Sequence, residues 1–129
     1  MNEFAVIWVV HRKSESVGSF YVSVAPDNED SNMIIITGKA EISDENREAF
    51  RPVAERQVTL SRKEDGCLGY GYYEDAMTPG TFLFYEEWKD QAAVDFHFAQ
   101  SYCLEFMEAA GRLASNTPQV NIHPVAGDT

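Results

Sequence analysis

Residues 81–88, TFLFYEEW, are apolar on both parities: Phe82, Phe84 and Trp88 alternate with Leu83 and Tyr85. Successive side chains of a strand point to opposite faces of its sheet, so neither face of a sheet holding this strand can simply be left in water. Residues 67–74, CLGYGYYE, have the same two-sided character, and Thr78-Pro79-Gly80 between the runs marks a hairpin. Helices can cover one face. A second copy of the chain, paired face to face about a two-fold axis, is the simplest cover for the other, so a homodimer is expected.

The remaining elements follow from periodicity. The β-branched run MIIITGKAEI, from Met33, reads as the first core strand. Ser43 and Asp44 offer N-cap oxygens, and Ala49, Phe50, Val53, Ala54 and Val58 recur at helical spacing up to Arg62. Pro52 inside that helix predicts a kink or a restart. Asp90 caps a short helix carrying Ala93, Phe96 and His97; after a break near Ser101, Cys103, Phe106, Met107, Ala110, Leu113 and Ala114 form a second apolar stripe. Gln119 to Val125 reads as a last strand, Pro124 placing it at an edge or a strand end. Strand, helix, strand, strand, helix, strand is an α+β order, the ferredoxin-like split βαβ, with a four-stranded antiparallel sheet carrying its helices on one face.

The core domain therefore spans 33–125, followed by a tail at 126–129. Residues 1–32 stand apart: FAVIWVV and SFYVSV flank a polar turn, and Asp27-Asn28-Glu29-Asp30-Ser31-Asn32 reads as a linker. Three readings stay open for them: an added β-hairpin, a loosely ordered appendage, or codons preceding a natural start at Met33.

A chain of 129 residues is the size of one domain with one core. Its 10 Lys and Arg against 21 Asp and Glu, net −11, repel phosphate backbones and anionic lipid, so neither nucleic acid nor a membrane is an expected partner. The apolar run Phe4 to Val10 is far short of the roughly 20 residues that span a bilayer, and it lacks the flanks of a secretory signal. Cys67 and Cys103 have no paired spacing and no Cys/His cluster has zinc-ligand spacing, so no metal is expected and a reducing cytoplasm fits best. No nucleotide loop, flavin fingerprint or haem-attachment motif is present, and no cofactor is expected.

The chemistry-bearing residues concentrate where the 81–88 strand meets the helix after it. Glu86, Trp88 and His97 are the candidate catalytic group. Trp88 shares parity with Phe82, Phe84 and Glu86; it is either a core filler or a flat wall and donor for an aromatic substrate. His97 is either a satisfied core residue or a base with a near-neutral pKa. Glu86, if buried, needs a partner; orienting His97 and receiving a substrate proton would each supply one, whereas an ion pair or an outward carboxylate is the structural alternative. Tyr70, Tyr72, Tyr85, Phe84 and Phe96 are the candidate substrate-binding residues, with tyrosine packing in the sheet and dimer as the competing use; parity separates Tyr70 and Tyr72 from Tyr73. His11 and His123 read as surface residues.

MIIITGKAEI, then Glu64-Asp65-Gly66-Cys67-Leu68 with Tyr70, then Glu86-x-Trp88 followed by His97, resembles the antibiotic biosynthesis monooxygenase family over Met33 to Val125. The resemblance implies a dimeric α+β barrel with a pocket between helices and sheet in each subunit. It implies three chemistries: cofactor-independent oxidation of aromatics or quinols, haem breakdown, and sugar-phosphate isomerisation. The first is expected here, with O2 as co-substrate and a small hydroxylated aromatic or quinol as substrate. Haem breakdown is accompanied in the family by an asparagine on the first strand, where this chain has Thr37, Gly38 and Lys39; isomerisation needs a phosphate site, and Lys39, Arg47, Arg51 and Arg62 are scattered. A dimer that binds small aromatic ligands without catalysis is the alternative of another class.

Overall fold

The computed structural model describes residues 4–9, 19–24 and 32–125. Four strands form the sheet of the core: β3 (Ile34–Glu41), β4 (Cys67–Glu74), β5 (Thr81–Trp88) and β6 (Gln119–Pro124), in the order β6-β3-β5-β4 with every neighbouring pair antiparallel. This is the α+β, ferredoxin-like split βαβ. Beyond β6, β1 (Phe4–Val9) pairs antiparallel with β2 (Ser19–Val24), and β2 lies parallel to β6, so the hairpin extends the sheet to six strands. His11, the linker before Asn32 and the tail at 126–129 lie outside the described residues.

Burial follows parity. Ile34, Ile36 and Ala40 of β3 and Phe82, Phe84, Glu86 and Trp88 of β5 are buried on one face, against the helices. The alternate residues Leu83, 40% exposed, and Tyr73, 58% exposed, occupy the other face of the single chain.

Helix α1 (Arg47–Ser61) follows a 3-10 turn at Asp44–Asn46, and the expected side-chain cap is not made: the Ser43 hydroxyl caps no N–H, and Arg47 donates from Nε to the Ile42 carbonyl at 3.1 Å. The helix runs on through Pro52 without a restart, and packing of Phe50, Ala54 and Val58 against the core holds it. Helices α2 (Gln91–Phe98) and α3 (Ser101–Leu113) break between Phe98 and Ser101, as the pattern predicted. Asp90 caps α2, its Oδ1 accepting from the Ala93 N–H at 2.8 Å.

The stripe of α2 differs from expectation. Ala93, Val94 and His97 are buried, whereas Phe96 is 57% exposed. At about 100° per residue, Phe96 lies on the far edge of the arc that Ala93, Val94 and His97 share, so burying the imidazole turns the phenyl ring outward.

Candidate functional site

Three segments converge on His97. Strand β5 ends in Glu86 and Trp88 pointing into the helical layer. Helix α2 then folds back across that end, which requires a close approach: a Cβ on Gly66 would stand 2.3 Å from the Ala93 Cβ, so only glycine lets α2 start here. The turn after α1 supplies Glu64, and the first turn of α3 supplies Tyr102 and Cys103.

His97, 1% exposed, stacks on Trp88 with ring centroids 4.5 Å apart and interplanar angle 35°. Its Nδ1 lies 3.0 Å from Glu64 Oε2, and the Tyr102 hydroxyl donates to the same oxygen. Its Nε2 is 3.5 Å from Cys103 Sγ. Burial holds the imidazole below its ordinary pKa, opposed by Glu64, which favours the charged form. Tyr70 lies edge-on to Trp88 with ring centroids 6.2 Å apart, and its hydroxyl accepts a bond from Gln57 Nε2 at 3.2 Å.

Glu86 is a separate centre. Its Oε1 accepts from the Trp88 indole N–H at 2.8 Å, and desolvation pushes the carboxyl up to about 7 despite the opposing bonds from Trp88 and Tyr70. Desolvation likewise raises the Cys103 thiol to about 12 and drives the Tyr70 phenol well above its usual range. At neutral pH, then, Glu86 is the group poised to exchange a proton and His97, held below its ordinary value, is an uncharged base, while Tyr70 and Cys103 stay protonated.

His97 and Glu86 line a partly open, largely apolar cavity of about 50 Å3 between sheet and helices, whose other walls include Tyr70, Phe84, Cys103 and Phe106. Of the sequence candidates, His97, Glu86, Tyr70 and Phe84 meet at this cavity. Trp88 stands behind it, bonded to Glu86 and stacked on His97. Tyr72 is stacked on Phe84, centroids 5.3 Å apart, one layer further along the sheet. Tyr85 lies on the opposite sheet face with its hydroxyl on Glu87 at 2.8 Å, and Phe96 borders an outer groove beside Glu64 and Tyr102. His123 is exposed.

The sequence reading missed Glu64 as a site residue. Arg62-Lys63-Glu64-Asp65 looks like a solvated charge run, yet the Glu64 side chain is only 7% exposed because α3 lays Tyr102 over it. Of the readings left open for Glu86, orienting His97 is not the one seen: Glu64 is the carboxylate at Nδ1. Among the described residues no group of three or more His, Cys, Asp or Glu is arranged to hold a metal ion, and no helix is long and apolar enough to cross a membrane.

Residues 33–109 match the family model for antibiotic biosynthesis monooxygenases. The Synechocystis protein sll1783, uncharacterised, is 32% identical over 93 residues; the match takes in 72% of this chain but 63% of that protein, so this chain spans less than two-thirds of its length. YcnE of Bacillus subtilis, provisionally designated a monooxygenase, is 32% identical over 83 residues, 64% of this chain and 87% of that one. The structure of Rv0793 from Mycobacterium tuberculosis shares the fold with TM-score 0.69 at 23% identity, covering 75% of this chain and 98% of that chain. A Deinococcus radiodurans protein, provisionally described as an antibiotic biosynthesis monooxygenase, also superposes with TM-score 0.69, at 26% identity over 74% of this chain and 95% of that chain. With the family model matching well over half of its length, the chain belongs to the antibiotic biosynthesis monooxygenase family.

Proposed function

We propose that the protein is a cofactor-independent monooxygenase that oxidises an electron-rich hydroxylated aromatic, such as a quinol, with O2. One observation carries the reading: lining a largely apolar cavity stand an imidazole tied to a carboxylate, His97 with Glu64, and a second carboxyl, Glu86, that titrates near neutrality. Such a site removes a phenolic proton without a metal or flavin, and the resulting ring anion is itself the reductant. It donates electrons to O2, a carbon–oxygen bond forms, and a proton returned by the protein gives a hydroperoxide. The O–O bond then breaks: one oxygen stays on the substrate as a carbonyl, and the other leaves as water with the two hydrogens the substrate gave up.

Each residue has a stated part. His97 Nε2 takes the phenolic proton and returns it to the peroxide oxygen. Glu86 exchanges protons at the same wall, with Trp88 holding its carboxyl through the indole N–H. The dry walls keep water from competing for the anion. The cavity, about 50 Å3, is small beside the roughly 150 Å3 of an apolar cavity that takes up benzene, so Phe106 and its neighbours must move aside to admit an aromatic substrate. His97 is a poor fit as a haem ligand: Nδ1 is committed to Glu64 and Nε2 abuts Cys103, so neither nitrogen faces a space of macrocycle size.

The working form is a homodimer in the cytoplasm. Leu68, Tyr73 and Leu83 leave apolar surface exposed in the single chain, and two-fold pairing of sheets would cover it.

An oxygen electrode tests the reading with a panel of quinols and polycyclic phenols. Wild type should consume oxygen with at least one of them, and His97→Ala should slow that turnover by about 100-fold or more while remaining folded. Unchanged kinetics in His97→Ala would reject the role of His97; quinone binding without any oxygen uptake would make the protein a binding dimer instead.

A further inference from the structure

We propose that Glu64 is a positioning residue of this site, fixing His97 in the tautomer whose Nδ1 carries the proton and whose Nε2 is left unprotonated. The purpose of that arrangement rests on the oxygenase reading above, but the tautomer belongs to the ligand-free protein and can be measured without any substrate.

The donors around the imidazole run in one direction. Glu64 Oε2 has two neighbours able to give a proton, His97 Nδ1 at 3.0 Å and the Tyr102 hydroxyl. An ionised carboxylate oxygen accepts from both, which places the proton on Nδ1. On the other side, Cys103 Sγ receives the Gln57 Nε2 amide at 3.6 Å, which leaves its S–H free to point at His97 Nε2, 3.5 Å away. The chain is therefore Gln57 to Cys103 to His97 to Glu64, with Tyr102 closing it from outside. The same order leaves Nε2, 3.5 Å from Cys103 Sγ, as the basic nitrogen.

Every element packed around His97 is accounted for. Trp88 of β5 and Tyr70 of β4 present ring faces or edges at centroid distances of 4.5 and 5.7 Å, Phe98 of its own helix stands at 5.3 Å, and Glu64 is the carboxylate within hydrogen-bond distance of it. The other carboxylate oxygen, Glu64 Oε1, is buried with no hydrogen-bond partner. An orphaned buried acceptor is unfavourable for stability, which is the pattern expected where placement of the imidazole, rather than stability, has chosen the residue.

The test is two-dimensional nitrogen-15 spectroscopy of the histidine ring in ligand-free wild type, Glu64→Gln and Tyr102→Phe, each checked for folding by thermal melting. Wild type should show His97 protonated on Nδ1 with Nε2 unprotonated. In Glu64→Gln the side-chain amide can donate to Nδ1, so the proton should move to Nε2 in the greater part of the population, as in enzymes whose orienting carboxylate becomes an amide. Tyr102→Phe removes one donor from Glu64 and should leave the Nδ1–H form in place. A wild-type ring protonated on Nε2, or a Glu64→Gln spectrum identical to wild type, would overturn the proposal; the wild-type spectrum alone decides it should the variant fail to fold. If an oxidised substrate is found, Glu64→Gln should lower kcat about 100-fold with KM nearly unchanged. A panel with no turnover would remove the oxygenase reading and leave the tautomer result standing.

Discussion

Glu86→Gln should make the protein more stable at alkaline pH and hardly change it at acid pH. The Glu86 carboxyl is buried among Trp88, Tyr70 and Phe84, and desolvation raises it from an ordinary 4.5 to about 7. Below pH 4.5 both the folded and unfolded chains hold this proton, and its burial carries no ionic penalty. As pH rises the unfolded chain releases the proton first, and stability contributed by the neutral carboxyl is lost progressively until the folded form ionises near pH 7. The gap between the two values corresponds to about 3 kcal/mol. An amide cannot ionise, keeps nearly the same shape, and still offers an oxygen to the Trp88 indole N–H, now 2.8 Å from Oε1. Urea unfolding of both proteins at pH 5 and pH 8, at one protein concentration so that association is held fixed, isolates the effect because every other titrating group is common to the pair. At pH 5 the two should agree within about 1 kcal/mol, and at pH 8 the variant should be the more stable by about 3 kcal/mol. A variant that is less stable at pH 8, or an equal difference at both pH values, would show that Glu86 is held as a carboxylate and would refute the argument.

Trp88→Phe removes the indole donor to Glu86 and should cost about 1–3 kcal/mol; because that bond lowers the carboxyl, the pH at which stability falls should also move above its wild-type position, as read by the same unfolding series. Gly66→Ala forces a Cβ to 2.3 Å from the Ala93 Cβ and should lower Tm, at about 1–3 kcal/mol. Adding Ala93→Gly to that variant should recover most of the loss, and a double variant no better than the single one would place the strain elsewhere.

The fold was legible because its signals are periodic. The parity of β5 put Phe82, Phe84, Glu86 and Trp88 on one face, and the Asp90 cap located α2; both depend on residues close in sequence. The site was legible only in part, because its key contact joins residues far apart. Glu64 sits in a charged run at a helix end, and nothing local says that Tyr102, 38 positions later, will cover it. Phe96 was placed inside because it shares helical spacing with Ala93 and His97, but one helical face holds a limited arc and Ala93, Val94 and the imidazole fill it. Trp88 was open to two readings, core filler or substrate wall; it stands behind the cavity, bonded to Glu86 and stacked on His97.

Isotope tracing of the oxygen atoms tests the central claim most directly. With an active quinol or phenol and oxygen-18 gas, mass spectrometry of the product should find one labelled oxygen atom per molecule turned over by wild type, label that falls with turnover in His97→Ala. Product carrying no label, or label incorporated at the same rate without His97, would contradict the account.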